Sequence, residues 1–348
     1  MRVLIVTAQT PFVRAGAEAL TEGLRVACEG AGHEVDVAAI PLRLHPPEKV
    51  LDHMLACRLL DVRQFTGDPV DRVIALRFPA YLVGHDQKVL WLLHQHRQAT
   101  DMWDNPLADV PVDPLGAVVR EAVLAADRAE LARIDRRFAI SRVVADRLRA
   151  SVGLDAEVLR PPLPGIERYW TAEPEPFVFV PSRITRMKRQ WLLLEALAHT
   201  RRDVRLVLGG VADSDEERDL ILGTIRRLDL TDRVDLPGRL SDEDKRALYA
   251  RCAAVPFVPV DEDYGYVTLE AMASAKPVIT CTDSGGPLDF VVDGETGAVV
   301  PPDPECLAEQ LDRVVEDPTA AQKMGQAGQA RLRDFDLSWA STVETLLA

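Results

Sequence analysis

What the chain lacks narrows the field first. Its 348 residues include only five cysteines (Cys28, Cys57, Cys252, Cys281 and Cys306), odd in number and scattered, with no Cys-x-x-Cys pair. That speaks against a zinc ribbon or a redox dithiol and fits reduced thiols in a cytoplasmic protein. No run of 18 apolar residues occurs, so no membrane-spanning helix is expected. The apolar start Met1–Thr7 is too short for a secretory signal and leads straight into a fold. Positive charge is in deficit, 41 Lys+Arg against 55 Asp+Glu for a net −14. Such a balance argues against a DNA or RNA backbone as partner. It leaves room for one small diphosphate, which needs only two or three local donors. Also absent are a tandem repeat of 20–50 residues and a Gly-x-Gly-x-x-Gly after the first strand. The latter weakens a nicotinamide-dependent dehydrogenase reading.

What is present alternates. Short apolar runs at 2–7, 34–40, 72–77, 88–94, 137–141 and 157–160 read as strands, and 16–31, 46–62, 116–135 and 142–151 as helices. Residues 160–176 then crowd five prolines, too many for an element interior. The alternation restarts with strands at 177–182, 204–209, 233–236, 254–259, 277–281 and 297–300. Helices are expected at 187–199, 214–228, 241–252, 265–275, 304–316 and 319–333. A last helix at 338–347 carries Trp339, Val343 and Leu346 on one face, which must be buried. The pattern predicts two Rossmann-like, doubly wound α/β domains, 1–163 and 164–333, with 334–348 returning to the first. Ligands of such sheets bind beyond the carboxyl ends of the strands, which makes an interdomain cleft the expected site.

Five loops carry candidate chemistry. In 262–277 an acidic loop, a glycine and a helix start follow one another. Backbone N–H groups of Gly265, Tyr266 and Val267 would then face an anion, and Glu262 and Glu270 are separated by seven residues. Taken singly, each acid reads as well as a solvated glutamate near a helix cap. In 181–190 four cations fall within seven residues, Arg183 and Lys188 among them, just past a strand. They suit a diphosphate, and equally a surface run paired with nearby acids. Gly16 follows the first strand. His94, His96 and Arg97 cluster at the end of 88–94, where a lone histidine would usually be structural. Gly285 and Gly286 follow 277–281, and Ser141 opens the helix after 137–141.

Together these segments resemble retaining glycosyltransferase family 4, of GT-B fold, over nearly the whole chain, most specifically in Glu262–Pro277. The resemblance implies that Arg183 and Lys188 hold the donor diphosphate, that Glu262 contacts the donor sugar and that Glu270 takes the ribose hydroxyls. Gly16, Gly265, Tyr266, Val267, Gly285 and Gly286 would complete the donor site. His94 would touch a sugar hydroxyl, with His96, Arg97 and Ser141 on the acceptor side. Two departures stand out: only Ala15-Gly16 where the family has a glycine pair, and Asp289 where its Gly-Gly-x-x-Glu loop ends in glutamate. The implied activity is retaining, metal-independent transfer of a hexose from a nucleotide-diphosphate sugar to a hydroxyl acceptor, in polysaccharide or secondary-metabolite synthesis. The nucleotide sugar would be a co-substrate, with no cofactor and no nucleic-acid partner.

Rival readings remain. Asp213-Ser-Asp215 has the spacing of metal-dependent glycosyltransferases, but it opens a helix whose N-terminal dipole favours acids. A nucleotide-sugar 2-epimerase has the same two-domain form and would act without an acceptor. A non-catalytic sugar-nucleotide-binding protein would not need Arg183, Lys188, Glu262 and Glu270 all at once. Helix 46–62 mixes Lys49 and Arg58 with Glu48, Asp52 and Asp61. At most weak binding to anionic vesicles is therefore expected, which co-sedimentation reads.

Overall fold

A computed structural model of the chain describes residues 1–12, 16–43, 45–65, 67–107 and 110–348. They form two compact units, 1–164 with 336–348, and 165–335.

The first unit is built on a six-stranded parallel sheet. Its strands are β1 (Arg2–Gln9), β2 (Glu34–Pro41), β3 (Arg72–Ala75), β4 (Lys88–Leu92), β5 (Arg136–Ala139) and β6 (Glu157–Val158), in the order β2-β1-β3-β4-β5-β6. The helices are α1 (Gly16–Gly30), α2 (Lys49–Leu59), α3 (Pro114–Leu131) and α4 (Arg142–Val152). Central β4 is buried along its whole length, as parallel strands covered on both faces must be. Its one charge, Lys88, is satisfied by the carbonyls of Tyr81 (2.8 Å) and Val83 (2.6 Å) and by an ion pair with Glu130. That is the condition for burying an ammonium. Burial still lowers its pKa, with Glu130 opposing the shift.

The second unit repeats the scheme with β7 (Phe177–Val180), β8 (Arg205–Leu208), β9 (Val234–Asp235), β10 (Val255–Pro256), β11 (Val278–Cys281) and β12 (Gly297–Val300). Two three-stranded parallel runs, β9-β8-β7 and β10-β11-β12, meet where Val178 bridges Ala254 and Phe179 N–H donates to the Ala254 carbonyl at 3.1 Å. Helices α5 (Gln190–His199), α6 (Asp215–Arg227), α7 (Asp242–Arg251), α8 (Tyr266–Ala273), α9 (Pro304–Glu316) and α10 (Pro318–Asp334) cover it. Their starts are written in the sequence: Ser214, Ser241 and Asp303 each cap a helix through a side-chain oxygen.

Helix α11 (Trp339–Leu347) belongs to the first unit, where it packs on α1. Trp339 meets Trp91 edge to face at 6.4 Å, and Val343, Leu346 and Leu347 are buried. Arg136 donates to the last carbonyls of α11, Leu346 at 3.4 Å and Ala348 at 2.6 Å, satisfying acceptors that a helix end leaves open.

Three differences between the sequence pattern and the structure stand out. A short hairpin, Gln64–Phe65 with Asp68–Pro69, is not legible in it. Helix 46–62 shortens to Lys49–Leu59. The expected strand 254–259 pairs regularly only over Val255–Pro256, because Pro256 and Pro259 supply no ladder donor.

Candidate functional site

All strands of the second sheet run parallel, so the loops after β7, β8, β9, β10 and β11 share one edge of that unit. Three of them form a cavity of about 600 Å³ lined by Ile184, Gly210, Asp213, Ser214, Leu236 and Gly238 among others. Its walls are knit by backbone: Ile184 N–H donates to Val211 (2.9 Å), and Asp213 N–H to Ile184 (3.2 Å). The sequence signal for this cavity is the Gly209-Gly210 pair after β8.

Arg183 and Lys188 lie in the turn after β7, and their surroundings differ. The Arg183 guanidinium is half exposed (49%) and pairs with Asp213 at 2.5 Å. The Lys188 ammonium is 18% exposed, forms an ion pair with Glu262, and sits 5.2 Å from the centre of the Phe257 ring. Asp213 and Asp215, the metal-type spacing, go to different partners: Arg183 for the first, Arg218 in the first turn of α6 for the second.

Glu262 is held by its backbone. Asp261 N–H donates to Asp283 (2.8 Å), Glu262 N–H to Ser284 (2.9 Å), and Gly286 N–H to Glu262 (2.8 Å). The glycine pair makes this interlock possible. A Cβ on Gly285 would lie 2.6 Å from the Glu262 carbonyl oxygen, and one on Gly286 2.6 Å from that of Tyr264. Gly285 also has φ +70, a conformation that suits glycine. The pair therefore first lets two loops touch.

Helix α8 follows Gly265, whose φ is 85°. The amides of its first turn, Tyr266 and Val267 included, have no acceptor within the helix, so this end attracts anions. Glu270, about one turn in, is buried. One carboxylate oxygen accepts from Tyr169 (3.0 Å) and Lys245 (2.7 Å), the other from Tyr249 (2.6 Å). Burial, then the Glu270 charge, pushes the pKa of both tyrosines up, so both remain donors. A ribose would have to share or displace these partners. Tyr169, Lys245 and Tyr249 carry no motif that sequence reasoning detects.

In the first unit, His94 follows β4 with Nδ1 2.8 Å from the Gln95 carbonyl. A very small cavity is lined by His94, Arg97, Asp101 and Arg147, with Arg97 and Arg147 both against Asp101 at 2.8 and 3.4 Å. His96 is buried, stacks on Phe78 at 5.1 Å and leaves Nε2 without a hydrogen-bond partner. Burial, then the His94 charge, pulls its pKa down to about 4. Ser141 is buried and caps α4, its Oγ accepting from Val144 N–H at 3.2 Å. Its Oγ thus serves as the cap acceptor of α4. Gly16 opens α1, while Ala15 beside it lies outside the described residues. Among the described residues no helix is long and apolar enough to cross a membrane.

Comparisons with known proteins bear on the family and the fold. The profile of the family "Glycosyl transferases group 1" matches residues 167–331. Human alpha-1,3/1,6-mannosyltransferase ALG2 is 31% identical over 166 residues, 44% of this chain and 40% of that protein. Alpha-maltose-1-phosphate synthase of Mycobacterium tuberculosis is 35% identical over 181 residues, 49% of this chain and 46% of that one. The matched segments thus span less than half of these relatives' length. Among solved structures, sucrose-phosphate synthase of Thermosynechococcus elongatus superposes with a TM-score of 0.79 at 21% identity, covering 98% of this chain and 96% of that one. Anabaena HepE in complex with UDP-glucose gives 0.75 at 19% identity, covering 99% of each chain. The fold is therefore GT-B, and the second unit, at 167–331, is a domain of the group 1 glycosyl transferases.

Proposed function

We propose that the protein is a retaining glycosyltransferase of the family 4 type, moving a hexose from a nucleotide-diphosphate sugar to an acceptor hydroxyl without a metal ion. The observation that carries this reading is the Lys188–Glu262 pair at the strand-end edge of the second unit. Helix α8 begins four residues beyond Glu262, and the 600 Å³ cavity opens on the same edge. The cavity takes the nucleoside. Lys188, Arg183 and the first amides of α8 neutralise the charge that grows on the leaving diphosphate, the term worth most in such transfers. Glu262, released from Lys188 as the diphosphate arrives, is free to meet the donor sugar. Glu270 takes the ribose in exchange for Tyr169 or Lys245. The departing diphosphate oxygen accepts the acceptor's proton on the face it leaves, so configuration is retained. His94 touches a sugar hydroxyl, and His96, Arg97 and Ser141 are the acceptor-side candidates.

Relatives and structural neighbours support the donor class: HepE is described in complex with UDP-glucose, and the group 1 profile covers the domain that carries the pair. The test is calorimetric titration with UDP, GDP, ADP and TDP, followed by transfer assays with the matching sugars. NMR of the product reads its anomeric configuration, and EDTA probes metal use. Binding of one diphosphate, with a retained product formed in EDTA, is expected. Binding of none overturns the reading, and an inverted product or EDTA-sensitive turnover overturns the corresponding part.

A further inference from the structure

Directly after Lys188 stands Arg189, a residue that nothing so far assigns. Its backbone is left-handed, φ 53° and ψ 37°, where an L side chain is disfavoured and glycine is at ease. Its side chain is nonetheless among the most enclosed cations of the second unit, 8% exposed. The guanidinium spends four N–H bonds there. Nε donates to the Val258 carbonyl at 2.7 Å, and Nη2 to the Pro259 carbonyl at 2.8 Å. Nη1 and Nη2 grip Asp283 as a fork at 2.8 and 2.7 Å. Such a planar, bidentate contact is beyond a lysine. Both carbonyls lie beyond the end of β10 at Pro256, outside the regular ladder.

These bonds touch three loops at once. Arg189 belongs to the turn after β7 that carries Lys188. Val258 and Pro259 lead into the loop carrying Glu262, and Asp283 belongs to the loop of Gly285 and Gly286. The same three loops are stitched by backbone, Val260 N–H to the Met187 carbonyl at 2.7 Å and Asp261 N–H to the Asp283 carbonyl at 2.8 Å. We propose that Arg189 is a positioning residue: its guanidinium clamps the three loops so that Lys188 and Glu262 meet in fixed geometry. The left-handed backbone is the cost of aiming that side chain inward next to Lys188. Asp283, 44% exposed, stays hydrated without its partner, so the clamp serves geometry more than overall stability.

The consequence for transfer rests on the glycosyltransferase reading; the clamp itself does not, and the experiment separates them. Arg189→Gly keeps the backbone conformation and removes the clamp; Asp283→Asn and the double variant complete a cycle. Hydrogen exchange is followed at Asp261, Glu262 and Gly286, with β7 and β11 as internal references. Expected for Arg189→Gly is a tenfold or larger loss of protection at those three amides with the strands unchanged. Parallel assays should show turnover down at least tenfold with the donor KM changed less than threefold. The double variant should be no worse than Arg189→Gly alone. Unchanged protection overturns the clamp whether or not the protein is a transferase. Lost protection with unchanged turnover overturns the positioning role. Failure of the parent to bind any nucleoside diphosphate strikes the functional reading, while the exchange data still decide the clamp. Strand amides that lose protection together with the loops would mean Arg189 is simply part of the core, and would overturn the proposal as well.

Discussion

Lys188→Ala is the substitution whose outcome the structure ranks most sharply. Two charges about 4 Å apart in an effective dielectric of ~20 attract by roughly 4 kcal/mol. The Lys188 ammonium is 18% exposed and lies against an aromatic face, so that regime applies to it. Arg183 is 49% exposed and its carboxylate partner 39%. Pairs of that kind are worth about 0.2–1 kcal/mol, and solvent screens its pull on a diphosphate similarly. Loss of one preorganised donor to a developing charge costs about 10²–10³ in turnover. Lys188→Ala should fall in that range and Arg183→Ala within about tenfold, which separates two cations that sequence reasoning treats as equals. Folding should change little. Glu262 is 25% exposed and stays hydrated once unpaired, so the melting temperature should drop by no more than about 4 °C, equivalent to roughly 1 kcal/mol. The assay is release of nucleoside diphosphate with saturating donor and acceptor, beside calorimetric melting of each variant. A loss below threefold for Lys188→Ala, or equal losses for the two, would refute the reasoning.

The first unit offers a pH test. Asp127, buried among Tyr81 (2.7 Å) and Gln95 (2.8 Å), has its pKa pushed up by burial from 3.8 to about 6, the two hydrogen bonds opposing. A raised carboxyl pKa contributes stability fully present below about pH 4 and lost as pH rises through about 6, amounting to roughly 3 kcal/mol. In Asp127→Asn that slope should vanish, leaving a constant offset, when urea unfolding read by exchange in α3 is compared at pH 4 and 7.5; parallel slopes would count against it. Deleting 338–348 removes Val343, Leu346 and Leu347 from the core, about 5–8 kcal/mol of apolar burial. Insoluble or non-cooperatively melting protein should result, and a soluble truncation with an unshifted melt would show the helix to be dispensable.

Much of this protein is legible in one dimension because its elements are local. Strand and helix periods, serine and aspartate caps, and the proline-dense 160–176 depend on neighbours in sequence, and so does the acidic-loop, glycine, helix string of 262–277. Those patterns place Lys188 and Glu262 at the ends of strands. They also require α11 to bury an apolar face. Other features need contacts between residues far apart in the chain. That Ser141 Oγ also closes the first turn of α4 is settled by the helix it caps. That Gly285 and Gly286 also let the loop of Glu262 pack against them appears only in the folded chain. The ring of Tyr169, Lys245 and Tyr249 around Glu270 joins residues up to 101 positions apart, and no spacing rule encodes it. Arg189 is one more cation in a basic run until three loops converge on its guanidinium. Composition and periodicity determine which segments become strand or helix, because those energies are summed over adjacent residues. Which buried donor meets which orphaned carbonyl is decided only when the sheet brings its loops to one edge.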